Sequence, residues 1–425
     1  MKLFEFQQKG LDRTDRFNKV AYYWEMGTGK TFVGSAKMAR FGSPLNLVVC
    51  QKSKIDDWVQ HLKSCGFWVC DLTDKKQYDG FFEFDIDGRN YGKMMVGVIN
   101  YDLLFRREDL TTLTDFTLLL DESSLIQNEK SKRARFVMMK LHYKNLILLS
   151  GTPCSGKYEK LWSQLRLLGW QISKSLFWNE FIRYRVDKRQ GFPLLIVTGY
   201  KNVDRLKEKM RLYGCDFLKT DEVIDLPEQT EIDEKVKATK EYATFREKRI
   251  VEIDGTELVG DTTLTKMLCE RLLCGMYCQD KLNAFEDLLN STEDRLIVFY
   301  NFNAELKALE DICIKNNRPM SIVNGKMKDL KCYEEYNDSV TLIQYQAGAM
   351  GLNLQKANKI IYFTPPLSSE LYEQSKKRTH RIGQKNNCFY WKLICKGSVE
   401  EKIYKVLAMR KDYTDALYEQ EESAN

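Results

Sequence analysis

Residues Trp24–Thr31 read WEMGTGKT, two glycines one residue apart followed at once by a lysine and a threonine. Gly27 and Gly29 let a turn of backbone point N–H groups at a ligand that a Cβ at either position would obstruct, with Thr28 between them. In such a turn Lys30 reaches the outer phosphates of a nucleotide and the Thr31 hydroxyl a magnesium ion. The spacing predicts a helix over Phe32–Arg40, stopped by Gly42, with its positive end towards the same phosphates. The full phosphate-loop pattern carries one more glycine, where Trp24 stands. The stretch alone therefore leaves nucleotide binding open, and its partners must decide.

Around this loop the chain alternates short apolar runs with longer helical stretches. Leu45–Cys50, Met94–Ile99, Phe116–Leu120 and Leu146–Leu149 have the length and bulk of strands buried on both faces, the signature of a parallel sheet with helices on either side. Such sheets bind ligands at the carboxyl ends of their strands. Asp121 and Glu122 follow the third run, and Gly151 and Thr152 the fourth. From about Leu161 to Leu218 the chain becomes aromatic, basic and mostly helical, with Phe177, Phe181 and Tyr184 at helical spacing. That pattern is read as a helical insertion and not as a base-stacking surface. The segment LPEQTEIDE, ending at Glu234, is the candidate boundary.

Beyond it, a charged helical stretch over Thr239–Asn290 precedes a second set of buried runs: Leu296–Tyr300, Met320–Val323, Val340–Gln344, Lys359–Phe363 and Phe389–Ile394. Two sheets of one style predict an α/β protein of two similar lobes, residues 1–224 and 225–425. Ser398 with Glu401 forms a capping box for a last helix, about 398–418, with an apolar stripe of Val399, Ile403, Val406 and Leu407.

Composition is compatible with this plan and excludes some classes. The 425 residues are 43% hydrophobic, enough for two or three packed domains. No apolar run approaches the roughly 18 residues of a membrane span, and the start, MKLFEFQQKG, lacks a signal peptide's hydrophobic region. The expectation is a cytoplasmic protein, neither secreted nor membrane-bound. Twelve cysteines without paired CxxC spacing fit reduced thiols, and Cys269, Cys274 and Cys278 are read as buried thiols, not a zinc site. A net charge of +6 does not by itself imply nucleic acid; local clusters such as Lys130, Lys132, Arg133 and Arg135 matter more.

Two constellations carry chemistry. Paired carboxylates at the end of TLLLDE suit magnesium-nucleotide hydrolysis, Asp121 holding the ion and Glu122 orienting or deprotonating the attacking water. The bland alternative is a strand end turning polar at the surface. In EQSKKRTHRIGQ, Glu373–Gln384, a helix would bring Gln374, Arg378 and Arg381 onto one face at i, i+4 and i+7. Two guanidiniums and an amide so placed can meet a triphosphate, as an arginine finger does. A basic surface helix is the bland reading there.

Taken in order, these stretches resemble a Swi/Snf-type ATPase, the DNA-translocating branch of helicase superfamily two, over nearly the whole chain. LFEFQQKG resembles the adenine-reading motif, mapping that role to Gln7 with Phe6 beside it, and EMGTGKT resembles motif I. LVVCQKSKIDDW, with Trp58, is similar to motif Ia; INYDLL, around Tyr101, to motif Ib; DESSLIQN to motif II; SGTP, Ser150–Pro153, to motif III. IVFYNF resembles motif IV, QAGAMGLNLQKAN motif V, QSKKRTHRIGQ motif VI, and GSVEEKIY the segment closing the second lobe. The chain departs from the family at Trp24, where an acidic residue is usual, at Ser124, where histidine is typical, and at Gly156, where asparagine is expected. The first puts unusual bulk beside the nucleotide, and the second removes a customary contact between motif II and the rest of the motor.

The resemblance implies two RecA-like lobes, ATP with Mg2+, and a partner that is double-stranded or branched DNA, handled by a monomeric motor in a compact form like those of bacteria and their viruses. Gly27, Thr28, Gly29, Lys30, Thr31, Phe6, Gln7, Gly351 and Asn353 would bind ATP, Thr31 and Asp121 the metal. Lys30, Asp121, Glu122, Gln374, Arg378 and Arg381 would be catalytic, and Lys52, Ser53, Tyr101, Lys130, Thr152, Asn301, Gln346 and Gly348 would lie along the DNA. Two other outputs stay open from the sequence: a strand-separating helicase, and a nucleic-acid-binding scaffold with a weak motor.

Overall fold

The computed structural model describes residues 2–87, 94–187, 193–348 and 352–418. The chain divides into unit 1, which runs to Val223 and includes the stretch from Asp412 onward, and unit 2, Ile224–Lys411.

Unit 1 contains strands β1 (Lys19–Trp24), β2 (Leu45–Cys50), β3 (Trp68–Asp71), β4 (Met95–Asn100), β5 (Thr117–Asp121), β6 (Asn145–Leu149), β7 (Ile182–Asp187), β8 (Leu194–Tyr200) and β9 (Cys215–Leu218). Seven of them make a parallel sheet in the order β3-β4-β2-β5-β6-β1-β9, while β7 and β8 pair as a separate antiparallel hairpin. The continuous apolar runs follow from burial on both faces. In β2, Leu47 and Val49 enter one core while Val48 and Cys50 enter the other, so no position can be polar without a partner. Helices α1 (Glu5–Arg13), α2 (Lys30–Phe41) and α3 (Ile55–Ser64) pack in the second of these cores through Leu11, Val33, Met38, Trp58 and Leu62.

The stretch Leu161–Leu218 is not mostly helical. Its helix Lys174–Phe181 buries Phe177 and Phe181 in the core, but it ends there and Tyr184 sits on β7. The reason is a change of period: from Ile182 to Asp187 apolar and charged residues alternate, which suits a strand and defeats a helix.

Unit 2 contains β10 (Gln229–Val236), β11 (Ile250–Ile253), β12 (Thr256–Val259), β13 (Leu296–Tyr300), β14 (Met320–Val323), β15 (Val340–Gln344), β16 (Lys359–Tyr362) and β17 (Cys388–Cys395). Six form a parallel sheet in the order β10-β17-β16-β13-β15-β14. The architecture is therefore α/β, with a mostly parallel sheet flanked by helices in each unit. The predicted helical stretch Thr239–Asn290 is broken by the β11–β12 hairpin, whose Asp254 and Gly255 adopt φ of 48° and 71°. An Asp-Gly pair between apolar runs is a sequence signal for that turn. The final helix, Val399–Tyr418, is capped by Ser398 Oγ accepting from the N–H of Glu400, not of Glu401.

The thiols of Cys278 and Cys395 lie 3.5 Å apart in the unit 2 core, beside Cys274. Glu400 stands close to them, but both its oxygens accept from Lys281 at 2.6 Å and one also from the N–H of Cys395. Among the described residues no helix is long and apolar enough to cross a membrane.

One buried acid gives unit 2 a pH signature. Glu305, fully buried, accepts through Oε2 from the N–H groups of Asn301 and Phe302 and from the Thr364 hydroxyl, while Oε1 faces Gly275 and has no hydrogen-bond partner. Burial pushes its carboxyl up to about 7 from 4.5. Folding therefore takes up a proton, and this contribution to stability is present in full below about pH 4.5 and is lost as pH rises through 7. The full span corresponds to roughly 3 kcal/mol. Urea unfolding between pH 5 and 8 is expected to show this slope, and Glu305→Gln to flatten it; an unchanged slope in that variant would refute the assignment.

Candidate nucleotide-binding site and motor motifs

The loop after β1 has the backbone that its glycines permit. Gly27 and Gly29 adopt φ of 88° and 76°, and Gly29 caps α2, which begins at Lys30 and stops at Gly42 with φ 63°. Lys30 Nζ donates to the carbonyls of Trp24 and Glu25 at 2.9 and 3.0 Å, and Thr28 Oγ1 donates to the Glu25 carbonyl. A Cβ on Gly29 would stand 2.4 Å from Gln7 Nε2. That close approach exists because Gln7 Nε2 donates to the Thr28 carbonyl at 3.0 Å, while its Oε1 accepts from the Phe4 N–H. Gln7 thus fastens α1 to the loop through Nε2 and closes the start of α1 through Oε1, and Phe6 is half-buried beside it.

Trp24 does not stand beside the loop as bulk. Its indole is fully buried and donates to Asp216 Oδ2 at 2.7 Å, and Asp216 also takes a two-pronged contact from Arg13 at 2.7 and 2.8 Å. The ring fits against α1 only because residue 10 is glycine: a Cβ there would lie 2.3 Å from the indole. The departure at Trp24 is therefore a core substitution with its own complementary residues.

Strand order brings the other motifs of unit 1 to the same end of the sheet. β6 lies between β1 and β5, so the loop, Ser150–Gly151 and Asp121–Glu122 emerge from three neighbouring carboxyl ends. A Cβ on Gly151 would be 3.4 Å from Lys30 Nζ. Asp121 Oδ2 accepts from Trp58 Nε1 at 2.8 Å, Oδ1 from the Glu122 N–H at 3.1 Å, and its carbonyl from the Tyr101 hydroxyl at 2.8 Å. Burial raises the Asp121 carboxyl above its usual range, against the opposing effects of Trp58 and Lys30. A half-buried carboxylate near the ammonium groups of Lys30 and Lys54 is an oxygen donor that fits Mg2+, and Thr31, next in sequence to Lys30, is the hydroxyl expected to join it. Glu122 follows with φ 51° and ψ 58°, a left-handed conformation uncommon outside glycine. Strain of this kind clusters at functional sites.

Of the residues expected along DNA, Lys52, Ser53 and Lys130 are exposed, while Thr152 is buried. Tyr101 is 2% exposed with its hydroxyl on the Asp121 main-chain carbonyl, so its side chain anchors the end of β5 from inside and offers no surface. Trp58 entered the sequence reading only as part of a motif; its role in holding Asp121 is visible from the geometry. Gln164, which no sequence pattern singles out, is buried in the short helix Trp162–Leu167 and hydrogen-bonds to both Ser123 and Pro153.

In unit 2 the helix expected to carry Gln374, Arg378 and Arg381 ends too early. It spans Ser369–Lys376, and Arg378 and Arg381 lie in the turns after it. Those turns are stitched to the preceding motif: the Leu354 N–H donates to the Arg378 carbonyl, Gln384 Nε2 to the carbonyls of Gln355 and Ala357, and Arg381 to Asn353 Oδ1. These backbone partners compete with the helix and win. Gln374 is buried and donates to Glu370. Asn301 turns its amide inward to Thr364 and Pro365, whereas Gln346 is exposed; Gly348 ends the short helix Tyr345–Gly348, and Gly351 lies outside the described residues.

Comparison with known proteins places this geometry. Residues 14–281, more than half of the chain, match the SNF2-related domain, and residues 280–383 match the helicase conserved C-terminal domain. The chain is 24% identical over 427 residues to the mouse SWI/SNF-related matrix-associated actin-dependent regulator of chromatin subfamily A member 1, covering 89% of this chain and 39% of that protein. It is 23% identical to the putative ATP-dependent helicase/translocase YwqA of Bacillus subtilis, covering 93% of this chain and 46% of that protein. The chain thus spans less than half the length of these two relatives. The Sulfolobus solfataricus SWI2/SNF2 ATPase core in complex with dsDNA aligns over 98% of this chain and 92% of that chain, at 21% identity and a TM-score of 0.45.

Proposed function

The chain belongs to the SNF2-related family, and from that membership we propose that it is a motor that hydrolyses ATP to move along double-stranded DNA. The observation that carries the reading is the meeting, at adjoining strand ends of unit 1, of a glycine-turned loop bearing Lys30 with a half-buried Asp121 and a left-handed Glu122. Lys30 and the loop N–H groups bind the phosphates. Thr31 and Asp121 hold Mg2+, which neutralises charge on the phosphates when bound. Trp58 fixes one oxygen of Asp121, and Glu122 orients the attacking water and takes its proton. In unit 2, Gln374, Arg378 and Arg381 are the groups assigned to turnover, and Asn353 to ATP binding. Lys52, Ser53 and Lys130 meet DNA phosphates, with Gln346 and Gly348 in the same role in unit 2.

An ATPase panel tests this: no nucleic acid, single-stranded DNA, duplex DNA, branched DNA and RNA. Turnover is expected to rise most with duplex or branched DNA, and equal turnover in every arm overturns the reading. Because phosphate contacts displace counterions, log K for DNA should fall with log salt by about 0.9 per contact; a flat response contradicts that mode of binding. A triplex-displacement assay run beside a partial-duplex assay separates translocation from strand separation.

A further inference from the structure

Ser124 stands where the resemblance leads one to expect a histidine that ties motif II to the rest of the motor, and the structure contains a different tie. Gln164 is fully buried, as are Ser123 and Tyr23. Its Oε1 accepts from the Ser123 hydroxyl at 2.7 Å and from the Tyr23 hydroxyl at 3.0 Å, and its Nε2 donates to the Pro153 carbonyl at 2.7 Å. The Pro153 carbonyl can only accept, so the orientation of the amide is fixed by its partners. One side chain therefore joins three segments that the sequence separates. Tyr23 precedes Trp24, whose carbonyl holds Lys30. Ser123 follows Glu122 at its left-handed turn. Pro153 follows Thr152 of the SGTP segment.

We propose that Gln164 is the positioning residue that ties the SGTP segment to Glu122, so that a movement of that segment in the DNA-stimulated cycle reaches the hydrolytic carboxylate through Pro153, the Gln164 amide and Ser123. This rests on the DNA-stimulated ATPase reading above. The physical basis is that every polar group in the relay is buried. A shift of Pro153 cannot be absorbed by exchanging its partner for water without leaving donors or acceptors unpaired, so the amide and Ser123 move with it. Gln164 touches no nucleotide in this scheme, and its effect is on the placement of Glu122.

The test compares the wild-type chain with Gln164→Leu, which keeps side-chain bulk and removes all three hydrogen bonds, and with Ser123→Ala, which removes only the link to motif II. Turnover is measured with and without saturating duplex DNA, together with the KM for ATP, the affinity for a fluorescent ADP analogue and the melting temperature. The ratio of DNA-stimulated to basal turnover is expected to fall roughly tenfold or more in both variants, with KM and ADP affinity within about twofold of wild type. A ratio preserved in a folded Ser123→Ala variant overturns the relay, as does a loss of nucleotide affinity equal to the loss of kcat. Should Gln164→Leu fail to fold, Ser123→Ala alone decides. A wild-type chain that duplex DNA does not stimulate refutes the function reading itself, which distinguishes that failure from failure of the relay.

Discussion

Glu122→Gln is expected to lower ATP turnover by about 10²- to 10⁴-fold while leaving nucleotide binding nearly intact, the range for losing a general base. The substitution keeps size, shape and one acceptor oxygen, and removes the ability to take a proton from water. It also leaves in place the features that hold the position: the left-handed backbone at residue 122 and the contact between its N–H and Asp121 Oδ1. Single-turnover hydrolysis and titration of a fluorescent ADP analogue separate the two effects. If turnover stays within tenfold of wild type, the base is some other group, and the strain at Glu122 has a structural cause. If ADP affinity falls in parallel with turnover, Glu122 supports the binding site and not the chemistry.

Much of unit 1 was legible because its signals are local. A Gly-x-Gly-Lys turn, an apolar run ending in two acids and a second run ending in Ser-Gly each specify a strand end, and parallel α/β topology gathers strand ends together. What stayed hidden depended on partners distant in sequence. β1, KVAYYW, is not among the strands read from the sequence, and the partners of its aromatic polar atoms, Thr14, Gln164 and Asp216 for Tyr22, Tyr23 and Trp24, are distant from it or outside any pattern. Trp24 looked like bulk near a ligand because its pocket is made by Gly10, fourteen positions earlier. The turns carrying Arg378 and Arg381 were expected to be helical because i, i+4, i+7 spacing ignores the carbonyls of Gln355 and Ala357, which draw Gln384 and the backbone away from a helix. Gln164 belongs to no pattern, since a buried glutamine is defined only by what surrounds it.

The same dependence on distant partners makes Lys281→Met the most damaging expected substitution for stability in unit 2. Lys281 lies in the helix Gln279–Asn290 and Glu400 in the first turn of Val399–Tyr418, with side-chain exposures of 0% and 1%. The ammonium meets both carboxylate oxygens at 2.6 Å and also donates to the Phe363 carbonyl, and Glu400 accepts from the Cys395 N–H. Burial opposes the Lys281 charge, but the Glu400 carboxylate outweighs it and holds the ammonium above its usual range. Methionine matches the lysine stem in length and leaves Glu400 as an uncompensated buried carboxylate. Breaking such a pair from one side is expected to destabilise the unit by about 3–5 kcal/mol, read from urea denaturation. Replacing both partners, Lys281→Met with Glu400→Leu, removes the stranded charge, so the double variant should be markedly more stable than Lys281→Met alone. A single variant within about 1 kcal/mol of wild type would show that the pair is not ionised in the folded protein. A double variant no better than the single would show that Glu400 contributes mainly through the Cys395 N–H, anchoring the end of β17 and not the charge on Lys281.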